Sequence, residues 1–231
     1  MTPLRVVVLI SGRGSNLSAL IDGADRYQIV AVISNRANAI GLKLAETAGI
    51  ATTVVDHRDF EERQDFDVQL AKVISSINPE LIVLAGFMRV LGRPFVERFT
   101  GRMINIHPSL LPDFRGLNTH ERALAAGVKV HGASVHFVTA ELDGGPVIAQ
   151  ITLPVHPGDT PQTLAERLLP LEHQLLRRVV QWCSEGRITY EQGLTHFDET
   201  ALRQPLRIEP DCPPVCPNGV DADADVNGDC A

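Results

Sequence analysis

The sequence predicts a doubly wound α/β domain, a mostly parallel sheet with helices on both faces. Aliphatic runs such as Leu4–Ile10 and residues 81–85 lack polar alternation, which marks strands covered on both sides. Helical stretches separate these runs in the βαβα order that builds parallel sheets. Gly- and Pro-containing segments punctuate the boundaries.

Leu4–Ile10 reads as the first strand, followed by the loop Ser11-Gly12-Arg13-Gly14 and a helix over Ser15–Asp22. Residues 29–34 give a second strand, and a helix over about 39–48 ends at Gly49. Residues 52–55 form a short third strand. Asp59 is placed to cap a long helix to about Ile77, which Asn78-Pro79 closes. Residues 81–85 are the next strand, 95–99 a helix, and Met103–His107 a strand stopped by Pro108. A loop rich in Pro and Gly precedes a helix over 120–126. Residues 132–138 alternate and 147–155 are largely apolar, so the short Gly-rich link between them suggests an antiparallel pair. Thr160-Pro161 opens a long amphipathic helix to residue 184, and residues 188–190 add an edge strand. The domain is expected over residues 1–205, with 206–231 an acidic Pro- and Cys-containing tail of disordered character.

Of the 231 residues, 44% are apolar and 21% charged, as in soluble globular proteins. The net charge of -7 argues against nucleic acid or an anionic membrane as the main partner. No apolar stretch reaches the roughly 20 residues that span a bilayer. The first strand is too short for a signal segment and runs into a turn, so a cytoplasmic protein is expected. Cys183, beside Trp182 on the long helix, reads as a small buried hydrophobe. Cys212, Cys216 and Cys230 make three thiols, which do not complete a zinc site without an outside ligand.

Three segments carry chemistry. Ser11-Gly12-Arg13-Gly14-Ser15-Asn16 links a strand to a helix, where amides and the helix dipole favour an anion. It matches neither standard nucleotide loop, because Leu17 replaces the third glycine and no Gly-Lys-Ser/Thr follows. A tight turn capped by Ser15 or Asn16 and a phosphate site are both open readings. Asn105 and His107 lie two apart on a strand and so share a face, at the carboxyl edge where open α/β sheets bind ligands. Asp143, in Asp-Gly-Gly-Pro, is a turn residue that beside His107 would favour imidazolium and raise its pKa. His131, Ser134 and His136 offer no third ligand at metal spacing, so no metal is expected, and the absence of G-x-S-x-G disfavours a serine hydrolase.

Together these stretches resemble the glycinamide ribonucleotide transformylases of the formyl-tetrahydrofolate transferase superfamily, which have a Rossmann-like fold. The resemblance rests on Val8-Leu-Ile-Ser-Gly-Arg-Gly-Ser-Asn16, Leu84-Ala-Gly-Phe-Met-Arg89 and Asn105-Ile-His-Pro-Ser-Leu-Leu-Pro112. His131-Gly-Ala-Ser-Val-His-Phe137 and Leu142-Asp-Gly-Gly-Pro146 complete it, and the stretches span most of residues 4–200 in order.

The resemblance implies formyl transfer from 10-formyltetrahydrofolate to the amine of glycinamide ribonucleotide in purine synthesis, without metal. Gly14, Ser15 and Asn16 would bind the phosphate and Glu172 the ribose. Met88, Arg89 and Val90 would line the folate pocket with Asn105, with Arg63 nearby and Ala140, Glu141, Leu142 and Asp143 folding over the pterin. Asn105, His107 and Asp143 would be catalytic. A monomer or weak homodimer is expected, without nucleic acid or membrane partners. Methionyl-tRNA formyltransferase would need a further basic domain and formyltetrahydrofolate hydrolase an extra N-terminal one. A binding module without turnover is disfavoured by the presence of all three catalytic groups.

Overall fold

The computed structural model describes residues 2–211. In chain order the main elements are β1 (Leu4–Ile10), α1 (Ser15–Asp22), β2 (Tyr27–Ser34), α2 (Ile40–Thr47), β3 (Thr52–Val54) and α3 (Arg63–Ile77). Next come β4 (Leu81–Leu84), α4 (Arg93–Arg98), β5 (Met103–His107), α5 (Thr119–Ala125), β6 (Val130–Phe137) and β7 (Val147–Pro154). The long helix α6 (Pro161–Ser184) leads to β8 (Ile188–Glu191), β9 (Leu194–Phe197), β10 (Thr200–Ala201) and β11 (Leu206–Ile208).

Eight strands form the main sheet in the order β11-β7-β6-β5-β4-β1-β2-β3. The β3-β2-β1-β4-β5 part is parallel throughout, and β6 then runs antiparallel to both β5 and β7. The expected antiparallel pair is therefore present. Alternation along β1 explains the layers. Val6, Val8 and Ile10 pack with Leu17, Leu20, Leu42 and the α6 leucines, whereas Val7 and Leu9 pack with Phe66, Leu70 and Phe95 from α3 and α4. Helices cover both faces. α6 begins as the sequence signals, with the Thr160 side chain accepting from the Thr163 N–H and Pro161 in the first turn.

Three expectations need correction. Asp59 does not cap α3. It lies in a 3-10 turn over His57–Asp59, capped by Asp56, and α3 starts at Arg63. Residues 188–190 do not edge the main sheet, because β8 belongs to a separate three-stranded sheet with β9 and β10. The boundary at 205 falls short, since Leu206–Ile208 pairs in parallel with Ala149–Ile151 as the outermost strand. Leu206 and Ile208 pack on the apolar core, which gives that strand its reason to dock. Residues 212–231 of the proposed tail, Cys212, Cys216 and Cys230 among them, lie outside the described residues. Among the described residues no helix is long and apolar enough to cross a membrane.

Candidate active site

β5, β4 and β1 are adjacent and parallel, so their carboxyl ends share one rim. The strand order reverses between β1 and β4, and a crevice opens at such a switch point. Ser11, just past β1, ties the two loops together across it. Its Oγ accepts the Met88 N–H at 2.7 Å and donates to Asn35 Oδ1 at 2.6 Å.

His107 ends β5 and is buried, and Asn105 lies on the same face two residues earlier. β6 runs opposite, placing His136 across from Asn105 and Ser134 across from His107. Asp143 comes from the β6–β7 link in a left-handed conformation, φ 47°, and its Oδ2 accepts the Gly116 N–H at 2.9 Å. That oxygen is 3.5 Å from His107 Nδ1, and Oδ1 is 3.6 Å from His136 Nε2.

The hydrogen-bond roles follow from the partners. A carbonyl only accepts, so His107 Nε2, 3.1 Å from the Phe114 carbonyl, carries a proton. Nδ1, facing Asp143, is then the nitrogen that gains and loses one. His136 Nδ1 likewise donates to the Phe137 carbonyl at 2.9 Å, leaving Nε2 to accept from Asn105 Nδ2 at 3.1 Å. The second Asn105 N–H remains for a ligand.

Burial pushes His107 below the ordinary histidine value, although Asp143 and the Phe114 carbonyl oppose it. The sequence reading expected Asp143 to prevail, but desolvation is the larger effect. Burial also pushes Asp143 up, yet the Gly116 N–H and the neighbouring His107 hold it below the usual carboxylate range. His120 Nδ1 lies 3.2 Å from His131 Nε2, and burial with the neighbouring His120 pushes His131 down to about 4. Among the described residues no group of three or more His, Cys, Asp or Glu is arranged to hold a metal.

A second cluster sits where β1 meets α1. Gly14 is the N-cap in a left-handed conformation, φ 81°, so Ser15 and Asn16 are the first helical residues, not caps. A Cβ on Gly14 would stand 2.7 Å from Gly41 Cα, so only glycine fits this backbone crossing. Asn16 is buried; its Nδ2 donates to Glu172 Oε2 at 3.2 Å, and its Oδ1 has no partner. Burial raises the half-buried Glu172 carboxyl to about 7 against the opposing Asn16 bond.

The third component is a cleft with about 90 Å³ of open space beside Asn105, His136 and Asp143. Arg89, Val90, Asn105, Ala140, Glu141, Leu142 and Asp143 line it. Met88 and Arg63 do not. The Met88 side chain is exposed, and Arg63 donates to the Val90 carbonyl in an adjoining groove of about 700 Å³. Val90, Leu91 and Ala140 border both spaces.

Residues 4–180 match the formyl transferase family model. The chain belongs to the formyl transferase family. It is 45% identical over 203 residues to the phosphoribosylglycinamide formyltransferase of Escherichia coli (strain K12), covering 86% of this chain and 96% of that one. It is 47% identical over 188 residues to the Homo sapiens trifunctional purine biosynthetic protein adenosine-3, covering 80% of this chain but 19% of that much longer one. Among solved structures, the phosphoribosylglycinamide formyltransferase of Coxiella burnetii superposes with a TM-score of 0.86 at 50% identity, over 89% of this chain and 99% of that one.

For this formyl transferase, sequence reasoning missed His136, Phe114 and Gly116. His136 was set aside as one of several scattered histidines, yet its place opposite Asn105 makes it the anchor of that amide. Phe114 and Gly116 act through backbone groups, which leave no side-chain signal. The apolar pocket walls Phe87, Leu91 and Val138 look like any other core residues in sequence.

Proposed function

We propose that this phosphoribosylglycinamide formyltransferase moves the formyl group of 10-formyltetrahydrofolate to the glycinamide ribonucleotide amine by direct attack through a tetrahedral intermediate. The observation that carries the reading is the position of Asn105, His107 and Asp143 on one rim with an anion-suited loop and an apolar cleft.

The attacking nitrogen forms a bond to the formyl carbon and the carbonyl oxygen becomes an oxyanion. The unused Asn105 N–H donates to it and the positive charge of the His107 imidazolium stabilises it, and such preorganised electrostatics is among the largest contributions to acyl transfer. Collapse breaks the bond to the folate nitrogen, and one proton passes from the attacking nitrogen to the leaving one. Asp143, held ionised, accepts that proton and returns it through water.

Gly14, Ser15 and Asn16 suit the ribonucleotide phosphate, because the start of α1 offers amides and the positive end of its dipole. The orphaned Asn16 Oδ1 and the Glu172 carboxyl suit ribose hydroxyls. The folate pterin suits the apolar cleft, and Arg63 in the adjoining groove suits its anionic end.

Loss of the formyl group is followed with the purified chain and 10-formyltetrahydrofolate, with and without glycinamide ribonucleotide. Turnover that requires the ribonucleotide is the expected result. Formyl loss to water alone would make the chain a hydrolase, and binding without turnover would make it a folate-binding module.

A further inference from the structure

The turn that holds both catalytic groups is itself under strain. Phe114 has φ 55°, a left-handed conformation that strains a bulky residue and persists only where the surroundings enforce it. Yet its carbonyl fixes the proton on His107 Nε2, and two residues on, the Gly116 N–H fixes Asp143. One side chain holds this turn from the outside. Arg122, on α5, donates from Nη1 to the Arg115 carbonyl at 2.6 Å and more weakly to the Leu117 carbonyl at 3.4 Å. Its guanidinium also lies 5.7 Å from the centre of the Phe114 ring. The three contacts cover the ring of the strained residue and flank Gly116 on both sides.

We propose that Arg122, which touches no reacting atom, is a positioning residue for the formyl transfer, holding the 114–117 turn so that its carbonyl and amide orient His107 and Asp143. This rests on the roles given to those two groups under the proposed function. A planar guanidinium reaches two carbonyls and covers a ring at once, which a lysine ammonium does not. Arg122 is exposed, so its replacement leaves the core untouched.

The test uses the full chain with Arg122→Met and Arg122→Lys, read in two ways. Steady-state kinetics with both substrates should show kcat falling by roughly 10- to 100-fold in Arg122→Met, the scale of a small misplacement. KM for the ribonucleotide should stay within about twofold, since its phosphate loop is on another strand, and Arg122→Lys should recover part of kcat. Nitrogen NMR of His107 should show a single Nε2–H tautomer in the natural chain and a mixture in Arg122→Met. The second reading requires no turnover, so it decides the proposal even if the assigned reaction is wrong. A pure Nε2–H tautomer with unchanged kcat in Arg122→Met would overturn it, as would a kcat loss that only tracks the unfolded fraction.

Discussion

His107 sits between two acceptors, a backbone carbonyl on Nε2 and a carboxylate near Nδ1, and satisfies both only as imidazolium. Burial resists that charge, so Asp143 is what keeps the protonated form within reach. Asp143→Asn removes a raising influence, and the His107 pKa falls further. Under the proposed mechanism the protonated form is the active one and is lost as pH rises through that pKa, so the alkaline limb of kcat should move to lower pH. Turnover at neutral pH should fall by about 10²- to 10⁴-fold with the melting curve little changed, which pH-resolved kinetics and calorimetry would check. Near-natural turnover would remove Asp143 from the mechanism. At this scale Asn105 and His107 were legible, because strand alternation and Pro108 are local facts. That Asp143 reaches His107 was not, because it depends on how β6 and β7 return the chain to the rim.

Among the elements, the strands were the most readable, since a buried parallel strand is a continuous aliphatic run. The start of α3 was misread because Asp59 is a good capping residue by type, whereas Glu62, which precedes the helix, makes no side-chain cap bond. Only the fold shows that Asp56 accepts the Arg58 N–H and pairs with its guanidinium. Equally hidden was the contact between the glycine loop and α2. Gly41 donates its N–H to the Gly12 carbonyl at 3.0 Å, and a Cβ there would stand 2.6 Å from Ile10 Cδ1 and 3.1 Å from Gly14 Cα. Gly41→Ala should therefore destabilise the chain by about 1–3 kcal/mol, the usual cost of overpacking. It should also raise KM for the ribonucleotide by displacing Gly14. Urea unfolding and initial rates would test both; an unchanged KM would separate Gly41 from the phosphate loop.

For the molecule as a whole, Glu172 sets a limit on stability. Its carboxyl titrates near 7 when folded against an ordinary 4.5, so the folded state favours the neutral form. The contribution is fully present below 4.5 and is lost as pH rises through 7. Glu172→Gln should accordingly melt higher than the natural chain at pH 8, match it near pH 4, and bind the ribonucleotide less tightly. Equal melting temperatures at pH 8 would mean the buried carboxylate costs nothing.

The outermost strand β11 gives the fold a solution behaviour that the active site does not touch. Without it, β7 would present its row of amides and carbonyls to any passing chain, flanked by the buried side chains of Ile148, Ile151 and Leu153. A chain ended after Pro205 keeps every residue assigned to chemistry, and on that ground should keep turnover when freshly diluted. It should nonetheless self-associate edge to edge as concentration rises, which light scattering would detect. The three residues Leu206–Ile208 act less as part of the enzyme than as its guard against sticking to itself.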